Sequence, residues 1–577
     1  MPDTVSPSSG RTLYVDLSSG ESRVLDTSPH AADYLGGRGL AARLAWDLLP
    51  PGVGALDEAN HLFLAPGALV GTPAPSAGRT MISGLSPQAH PHEWYTRSSL
   101  GGHWGAALRY AGYDGLVVTG RATGPVVLSI ENDAVSLRDA SHLWGLGLVE
   151  TQRRLAGELP EGTRVLAIGP AGENRCRYAV IATGTESAAG QGGFGAVMGA
   201  KRLKAIAVRG TGGVPVARPQ EALGRSREVV RGILAIYGRG GGSAEPTETR
   251  PASRRAPCTH GCPRNCGGFY ADVPGQVHPE RTYTGHLHCC SPILADPKGW
   301  LGTGYGFRAG FEIAQVCNDL GINHWEIVFG LVPWVLRLQA RGEAQSLGGL
   351  SLDLADPANL LALLEAIAHR EGVGDILAEG LPRAAAALGL GEDIVGTLYP
   401  AYGQASHWDG HGAFPTPYYP YWLVTALQWA LDSRDPLGGG HGYTTNIFRL
   451  VGRLEPRAGD PDTRRRLLEV GQRLYGSPDA VDPLSGPAGK GLPGVYHQDR
   501  NALKDCLGVC DNIFPMLTDH TAPDFLCTVA GVPGPHLEHY VYEPLCASPL
   551  DREALARVGT RVFTLERLLA VRNWGRS

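Results

Sequence analysis

The stretch "ESAAGQGGFGAVMGAKRLKAIAV", residues 186–208, runs from a glycine-rich loop into a segment of helical character and leaves through the apolar run "LKAIAV". Backbone N–H groups gathered at the start of such a helix could hold a phosphate or another anion. The order is not the GxxxxGK[ST] of a nucleotide P-loop. It is not a dinucleotide fingerprint either, since no strand is expected before "GQGGFG" and no acidic residue follows at the required distance. A second stretch, "RSSLGGHWGAALRYAGYDG" at 97–115, has the same loop-then-helix form. Around these two, "HLFLAPGALVG", "DGLVVTG", "GPVVLSI" and "RVLAIGPAG" read as short strands separated by Gly, Pro, Asn and Asp turns, while "PHAADYLGGRGLAARLAWDLL" carries helical spacing. Residues 1–210 are therefore expected to form a β-rich domain.

Further along, the pattern changes. The Gly-, Pro-, Ser- and Arg-rich stretch 239–256 reads as a surface loop or linker. Beyond it come long amphipathic segments such as "GFEIAQVCNDLG", "HWEIVFGLVPWVLRLQARG", "NLLALLEAIAHREG", "DTRRRLLEVGQRLYG" and "REALARVGTRVFTLERLLAVRNW". The expected class is α+β, with the β-rich domain followed by two mainly helical domains at 211–405 and 406–577. No period of 20 to 50 residues shows, which excludes a solenoid or propeller.

Composition narrows the function classes. Of 577 residues, 43% are hydrophobic and 19% charged, with a formal net charge of −5. Neither a disordered chain nor a nucleic-acid binder has this balance. The N-terminus lacks a basic region followed by an apolar core, and no run of about 18 apolar residues occurs. The expectation is a cytoplasmic protein without a membrane span. Eleven clustered cysteines suit reduced thiols and metal ligation better than a disulfide framework.

Three of those cysteines, Cys258, Cys262 and Cys266, lie in "APCTHGCPRNCGGFY" at 256–270. Pro263 and the glycines favour a loop over a helix there. Three readings stand open: packed free thiols, a structural zinc with His260 as fourth ligand, or an iron–sulfur cluster with a remote fourth cysteine. For the last, "KDCLGVCDN" offers Cys506 and Cys510.

In order along the chain, "YLGGRGLAARL", "APGALVGTPAPSAGR", "GGHWGAALRYAGYDGLVV", "DASHLWG", "AIGPAGEN", "AAGQGGFGAVMGAKRLKAIAV", "CNDLGI", "DCLGVC" and "RVFTLERL" resemble the aldehyde:ferredoxin oxidoreductase family. The resemblance implies tungsten, or molybdenum, on two pyranopterins seated on the N-terminal domain beside a [4Fe-4S] cluster. It implies Cys258, Cys262, Cys266 and Cys510 as cluster ligands, and Arg79 between cluster and pterin. The carbonyls of Ser99 and Ala188 would bind a Mg2+ joining the pterin phosphates, with Gly101, Gly102, Gly190 and Gly192 in the two glycine-rich loops. Two D-x-x-G-L-[CD] motifs ordinarily bind the pterins. The second is intact as Asp505, Gly508 and Cys510; the first reads Asn318, Gly321 and Asn323, amide for carboxylate twice.

Other departures bear on function. The first gap of the cysteine trio is one residue longer than usual in the family. The family's active-site glutamate falls on Thr284, which cannot act as a carboxylate base. The ExxH pair of a subunit-bridging metal appears as Glu312 and Gln315. His441 aligns with the family's active-site histidine and is expected to move protons, with His286, His288, His407 and His411 as further candidates. Cys289 and Cys290 offer soft thiolates that could reach tungsten. Trp408, Tyr418, Tyr419, Tyr421 and Trp422 could line an aromatic funnel.

The implied activity is two-electron chemistry on a small organic substrate, with electrons relayed through the cluster to ferredoxin or a partner subunit, and a homodimer left open. A ring-reducing acyl-coenzyme A reductase and a non-catalytic electron-transfer or scaffold paralogue are the alternatives.

Overall fold

Short apolar runs between turn residues become strands in the computed structural model, which describes residues 5–185, 187–238, 251–287, 290–295, 303–399, 401–405, 421–434, 442–454 and 460–575. Strands β1 (Arg11–Asp16), β2 (Ser22–Asp26), β3 (Leu62–Pro66), β4 (Thr80–Leu85), β5 (Tyr95–Leu100) and β6 (Gly115–Thr119) form one sheet in the order β2-β1-β6-β3-β4-β5. Strands β7 (Val126–Glu131), β8 (Ala134–Asp139), β9 (Arg164–Ala167), β10 (Ile181–Thr183), β11 (Ser187–Ala189) and β12 (Leu203–Arg209) form a second in the order β8-β7-β12-β9-β10-β11.

The two orders are the same order. In each sheet the first and last strands pair parallel, β1 with β6 and β7 with β12, and the remaining neighbours pair antiparallel. Each half also places one helix between its second and third strands, Gly37–Leu48 and Leu148–Glu158. Each places another between its fifth and sixth, Trp104–Tyr110 and Phe194–Ala200. The β-rich region is thus one unit built twice. The apolar inner faces of both halves share one core, in which Leu64, Ile82 and Val118 meet Leu128, Ile181 and Ile206. The Trp104 indole donates to the Ile206 carbonyl across it at 3.1 Å.

Two local expectations are corrected. The segment 30–49 is not one helix: it breaks at Leu35, which has φ +58°, and restarts at Gly37. A Cβ at Gly37 would stand 2.2 Å from the Asp505 carbonyl oxygen, so the glycine lets the helix begin against the "DCLGVC" turn. A strand does precede "GQGGFG": β11 is Ser-Ala-Ala, three small residues without β propensity, held by pairing to β10.

Beyond residue 210 helices dominate, as their 3.6-residue apolar spacing requires. Phe307–Leu320 and Pro357–His369 bury their apolar faces in one core with Trp334 and Leu398, whereas Gly491–Leu507 and Arg552–Trp574 pack in another with Val229, Phe514 and Val541. "HWEIVFGLVPWVLRLQARG" contains a π-turn at Ile327–Leu331 just before Pro333, which has no N–H to continue a regular ladder. Strands β13 (Arg254–Ala256), β14 (Gly267–Pro274) and β15 (Thr282–Leu287) form a small sheet that brackets the cysteine trio, β13 before it and the other two after it. Among the described residues no helix is long and apolar enough to cross a membrane.

Candidate cofactor and cluster site

Both D-x-x-G-like motifs fold into the same turn. Gly321 and Gly508 end the helices Phe307–Leu320 and Gly491–Leu507 in left-handed conformation, with φ +78° and +79°. Each turn then docks on the matching connection of the duplicated domain. The first lies on the β9–β10 connection, where Val180 N–H donates to Gly321 and Asn323 N–H to Tyr178. The second lies on the β3–β4 connection: Ala68, Leu69 and Arg79 donate to Cys506, Leu507 and Gly508, and Cys510 N–H donates to Ser76. A Cβ at Gly67 would stand 2.2 Å from Gly508, so this contact is backbone on backbone.

The cysteine loop joins the second turn. Gly102 N–H donates to the Cys258 carbonyl at 2.9 Å, His260 N–H to Gly102 at 3.0 Å and Ser76 N–H to Gly261 at 2.9 Å. None of Cys258, Cys262, Cys266 and Cys510 is in a disulfide. The Cys258 thiol is pushed up by its hydrogen bond with Cys266 and by burial, against the pull of Arg79. The Cys262 thiol is raised by burial and by the proximity of Cys510 and Cys258. Arg79 donates towards Cys510 Sγ at 3.7 Å. Cys258 and Cys510 are buried, whereas Cys262 and Cys266 are partly exposed, so the group has an inner and an outer edge.

Among the described residues no three His, Cys, Asp or Glu side chains converge on one ion. His260, the candidate fourth ligand of a zinc site, has its Nδ1 3.2 Å from Nδ1 of His103. A cubane cluster needs no such convergence, because each thiolate binds its own iron. The buried hydroxyls of Ser76, Ser99 and Thr259 have no hydrogen-bond partner here, although buried hydroxyls rarely lack one. These buried hydroxyls beside the cysteine thiols suit an embedded polar prosthetic group.

Ser99 and Ala188 lie on β5 and β11, the edge strands where the two sheets meet. Their neighbours tie the seam: Gly101 N–H donates to Ser187 Oγ at 2.7 Å and Gln191 N–H to Ser98 Oγ at 3.2 Å. Gly102, Gly192 and Gly193 have φ of +75°, +84° and +68°, which explains the glycines of both loops. Gly190 faces the first turn: a Cβ there would stand 3.3 Å from Asn323 Oδ1.

Asp505 has a role that sequence did not indicate. It is 1% exposed, and its Oδ2 accepts from Arg97 Nε at 3.0 Å and Arg38 Nη1 at 3.5 Å, with Lys504 Nζ 3.1 Å from Oδ1. Arg97 also makes two bonds of 2.8 Å to Asp432, and Arg38 clamps Glu566. Burial alone would raise the Asp505 pKa, but the Lys504, Arg97 and Arg38 charges hold it well below the carboxylate range. Breaking such a buried network costs about 3–5 kcal/mol, because the partner charges remain buried. Arg38 was signalled only by its place inside "GGRG"; Arg97 and Asp432 carried no signal.

The remaining predicted residues are dispersed. Asn323 Oδ1 caps a helix by accepting from Trp325 N–H at 3.0 Å, and Asn318 donates to Gln315 at 3.4 Å. Thr284 is exposed on β15 and its hydroxyl accepts from Asp272 N–H at 2.9 Å, so it brings no group into a buried site. Glu312 accepts from the N–H groups of Gln276, Val277 and His278 and from the Tyr283 hydroxyl, which anchors the β14–β15 hairpin. His286 is half-buried with Nδ1 2.9 Å from Thr185 Oγ1, and burial lowers its pKa to about 4. Cys290 is packed in the first helical core. Tyr421 is buried and donates to Val481. His441, His288, His407, His411, Cys289, Trp408, Tyr418 and Tyr419 lie outside the described residues.

The family model of the aldehyde ferredoxin oxidoreductase N-terminal domain matches residues 12–210, and that of domains 2 and 3 matches residues 240–577. The tungsten-containing aldehyde ferredoxin oxidoreductase of Thermococcus kodakarensis is 41% identical, covering 87% of this chain and 81% of that protein. Its Pyrococcus furiosus counterpart is 29% identical over the same shares. A solved structure, the active-site complex BamBC of benzoyl coenzyme A reductase with 1,5-dienoyl-CoA, superimposes with TM-score 0.74 and 25% identity, covering 99% of this chain and 90% of that one.

Proposed function

The chain belongs to the aldehyde ferredoxin oxidoreductase family of tungsten oxidoreductases, and from that premise we propose that it exchanges two electrons with a small organic substrate and relays them singly through a [4Fe-4S] cluster. The observation that carries the reading is the assembly of Cys258, Cys262, Cys266 and Cys510 by hydrogen bonds from Gly102, Ser76 and the Gly508 turn. When bound, a tungsten or molybdenum bis-pyranopterin supplies the two-electron chemistry, and the cluster splits it into single-electron steps.

The chain's own residues hold and tune these groups. The carbonyls of Ser99 and Ala188, on opposing edge strands, would hold a Mg2+. The loops at Gly101–Gly102 and Gly190–Gly192, the turns at Gly321 and Gly508, and the side chains of Asn318, Asn323 and Asp505 would line the pterin seats, the first with weaker, uncharged contacts. Arg79 places a positive charge 3.7 Å from Cys510 Sγ and pulls against the raised Cys258 thiol. His441 is assigned proton transfer, and Thr284 is given no catalytic part.

A second reading for substrate, a ring-reducing acyl-coenzyme A reductase, is favoured by the likeness to the BamBC complex. Anaerobic purification with metal analysis tests the core reading. About one tungsten or molybdenum and about four iron atoms per chain are expected. Iron alone would favour the scaffold paralogue, and zinc alone would remove both readings. Turnover assays with aldehydes and with aromatic acyl-coenzyme A esters then separate the two substrate classes.

A further inference from the structure

A buried carboxylate stands behind the first of the two seats. Glu326 is 4% exposed and lies three residues after Asn323, just before the π-turn at Ile327–Leu331. Its Oε1 accepts from Gln88 Nε2 at 2.8 Å and from the Ala405 N–H at 3.0 Å, and its Oε2 accepts from the Tyr399 hydroxyl at 2.7 Å. Gln88, buried in the β4–β5 connection, in turn accepts with its Oε1 from the Gly192 N–H at 2.7 Å. Ser86, buried in the same connection, donates its hydroxyl to the Gly192 carbonyl at 2.9 Å. The N–H and the carbonyl of Gly192, which has φ +84°, are thus both engaged by one connection.

Chemistry sets the direction of this chain of bonds. Facing three donors, the carboxylate acts only as an acceptor, so Gln88 must give it the NH2 group and keep its oxygen for Gly192. Without that acceptor the amide could turn over and meet the Gly192 N–H donor to donor, which leaves a buried N–H unpaired. The far side of the same loop is pinned separately: Gln191 N–H donates to Ser98 Oγ, and Gln191 Oε1 accepts from Asn323 Nδ2, each at 3.2 Å. The two seats therefore place their carboxylates differently. Asp505 belongs to its turn, whereas Glu326 lies behind Asn323 and reaches the Gly190–Gly192 loop through Gln88.

We propose that Glu326 is a positioning residue for the bis-pyranopterin: acting through Gln88, it fixes the Gly190–Gly192 loop in its binding shape before the cofactor arrives. A loop that is already ordered loses less freedom on binding, so the cofactor is held more tightly. Outer partners of this kind typically change retention by about 10–100-fold. The relay ends on the β7–β12 half, whereas the cysteine loop is stitched to the β1–β6 half through Gly102 and Ser76. Pterin retention should therefore depend on Glu326, and iron retention should not. The inference rests on the cofactor assignment of the proposed function.

Three variants of the anaerobically purified chain test it. Gln88→Met keeps the side-chain length and removes the amide, Glu326→Leu removes the acceptor, and Glu326→Gln keeps an oxygen for the Gln88 and Ala405 donors. Tungsten or molybdenum, pterin fluorescence after release, and iron are followed through dialysis. Hydrogen exchange over residues 187–195, which needs no bound cofactor, is read by mass spectrometry. Gln88→Met and Glu326→Leu should lose pterin and its metal about tenfold faster than the natural sequence, with iron per chain unchanged. Exchange over 187–195 should quicken in the same two variants, and Glu326→Gln should match the natural sequence in every readout. If Glu326→Leu fails to fold, Gln88→Met still decides, because Glu326 then keeps its bonds to Tyr399 and Ala405. Natural retention or natural exchange in Gln88→Met, or iron lost in step with pterin, would overturn the positioning role. A natural chain without tungsten, molybdenum or pterin would instead overturn the cofactor assignment beneath it, whatever the exchange shows.

Discussion

Gly101→Ala is the smallest change expected to open the cluster site. A Cβ at Gly101 would stand 2.3 Å from the Cys258 carbonyl oxygen, 2.9 Å from Ser187 Oγ and 3.1 Å from Arg79 Nη1. Cβ contacts below 3.0 Å essentially do not occur, so the Cys258 backbone must retreat by at least 0.7 Å. Backbone cannot yield as a side-chain tip can, and overpacking of this kind costs about 1–3 kcal/mol. The retreat also strains the 2.9 Å bond from Gly102 N–H to the same carbonyl, worth roughly 0.5–1.5 kcal/mol. Together roughly 2–4 kcal/mol is set against the closed loop, about thirty- to a thousandfold in its population. Gly190→Ala is the control, since its Cβ would meet only the Asn323 side chain, at 3.3 Å. Iron per chain after anaerobic reconstitution, and the low-temperature EPR signal of the reduced protein, are the assays. Gly101→Ala should lose most of its iron under competition from a chelator and Gly190→Ala should keep it. Full iron and an unaltered signal in Gly101→Ala would refute the claim that Cys258 is held by close approach to this glycine.

Two further outcomes are expected. Cys510→Ser should remove or destabilise the cluster while Cys506→Ser leaves its EPR signal in place, because Cys510 faces Arg79 and Cys262, whereas Cys506 is packed against Gly39 in the apolar core; the reverse result would show that the wrong cysteine of "DCLGVC" is the ligand. His497 is 1% exposed, accepts or donates at Tyr475 at 2.7 Å, and has its pKa lowered to about 3 by burial. Its folded pKa lies below the unfolded value, so the unfolded chain binds the extra proton and stability falls as pH drops from about 6.5 to about 3. His497→Gln should reduce that slope by up to about 1.4 kcal/mol per pH unit, read from urea midpoints across the series, and an unchanged slope would show that His497 is protonated in the fold.

What could be read from sequence follows interaction range. Phe307–Leu320, Pro357–His369, Pro461–Tyr475 and Arg552–Trp574 are legible because a helix writes its buried face into residues three and four apart. The cysteine loop and the Gly508 turn are legible as motifs because backbone approach demands glycine at fixed offsets. The duplication of the β-rich region is not, since its period far exceeds the windows in which repeats are sought and β11 is only Ser-Ala-Ala. Nor is the ion network: Asp505 meets Arg97 and Arg38 from 408 and 467 residues away. His286 likewise reaches Thr185 from 101 residues away. Thr284 marks the limit of carrying a role over by alignment alone, because on this exposed hairpin strand its hydroxyl accepts from Asp272 N–H across a bulge.

The duplication also accounts for the one-sidedness of the site. Two equivalent half-domains offer two equivalent seats for a helix-ending turn, and both seats are filled, by Gly321 on the β9–β10 connection and by Gly508 on the β3–β4 connection. The residue two places after the glycine decides what each seat becomes. At Asn323 the amide turns inward, caps the next helix and bonds Gln191, which closes the seat with uncharged groups. At Cys510 a thiol faces Arg79, and the loop carrying Cys258, Cys262 and Cys266 is stitched to the same half through Gly102 and Ser76. A duplicated scaffold thereby gathers the four cysteines on one side only. Electrons that enter a centre lying between the halves would have one low-cost exit, past Cys262 and Cys266.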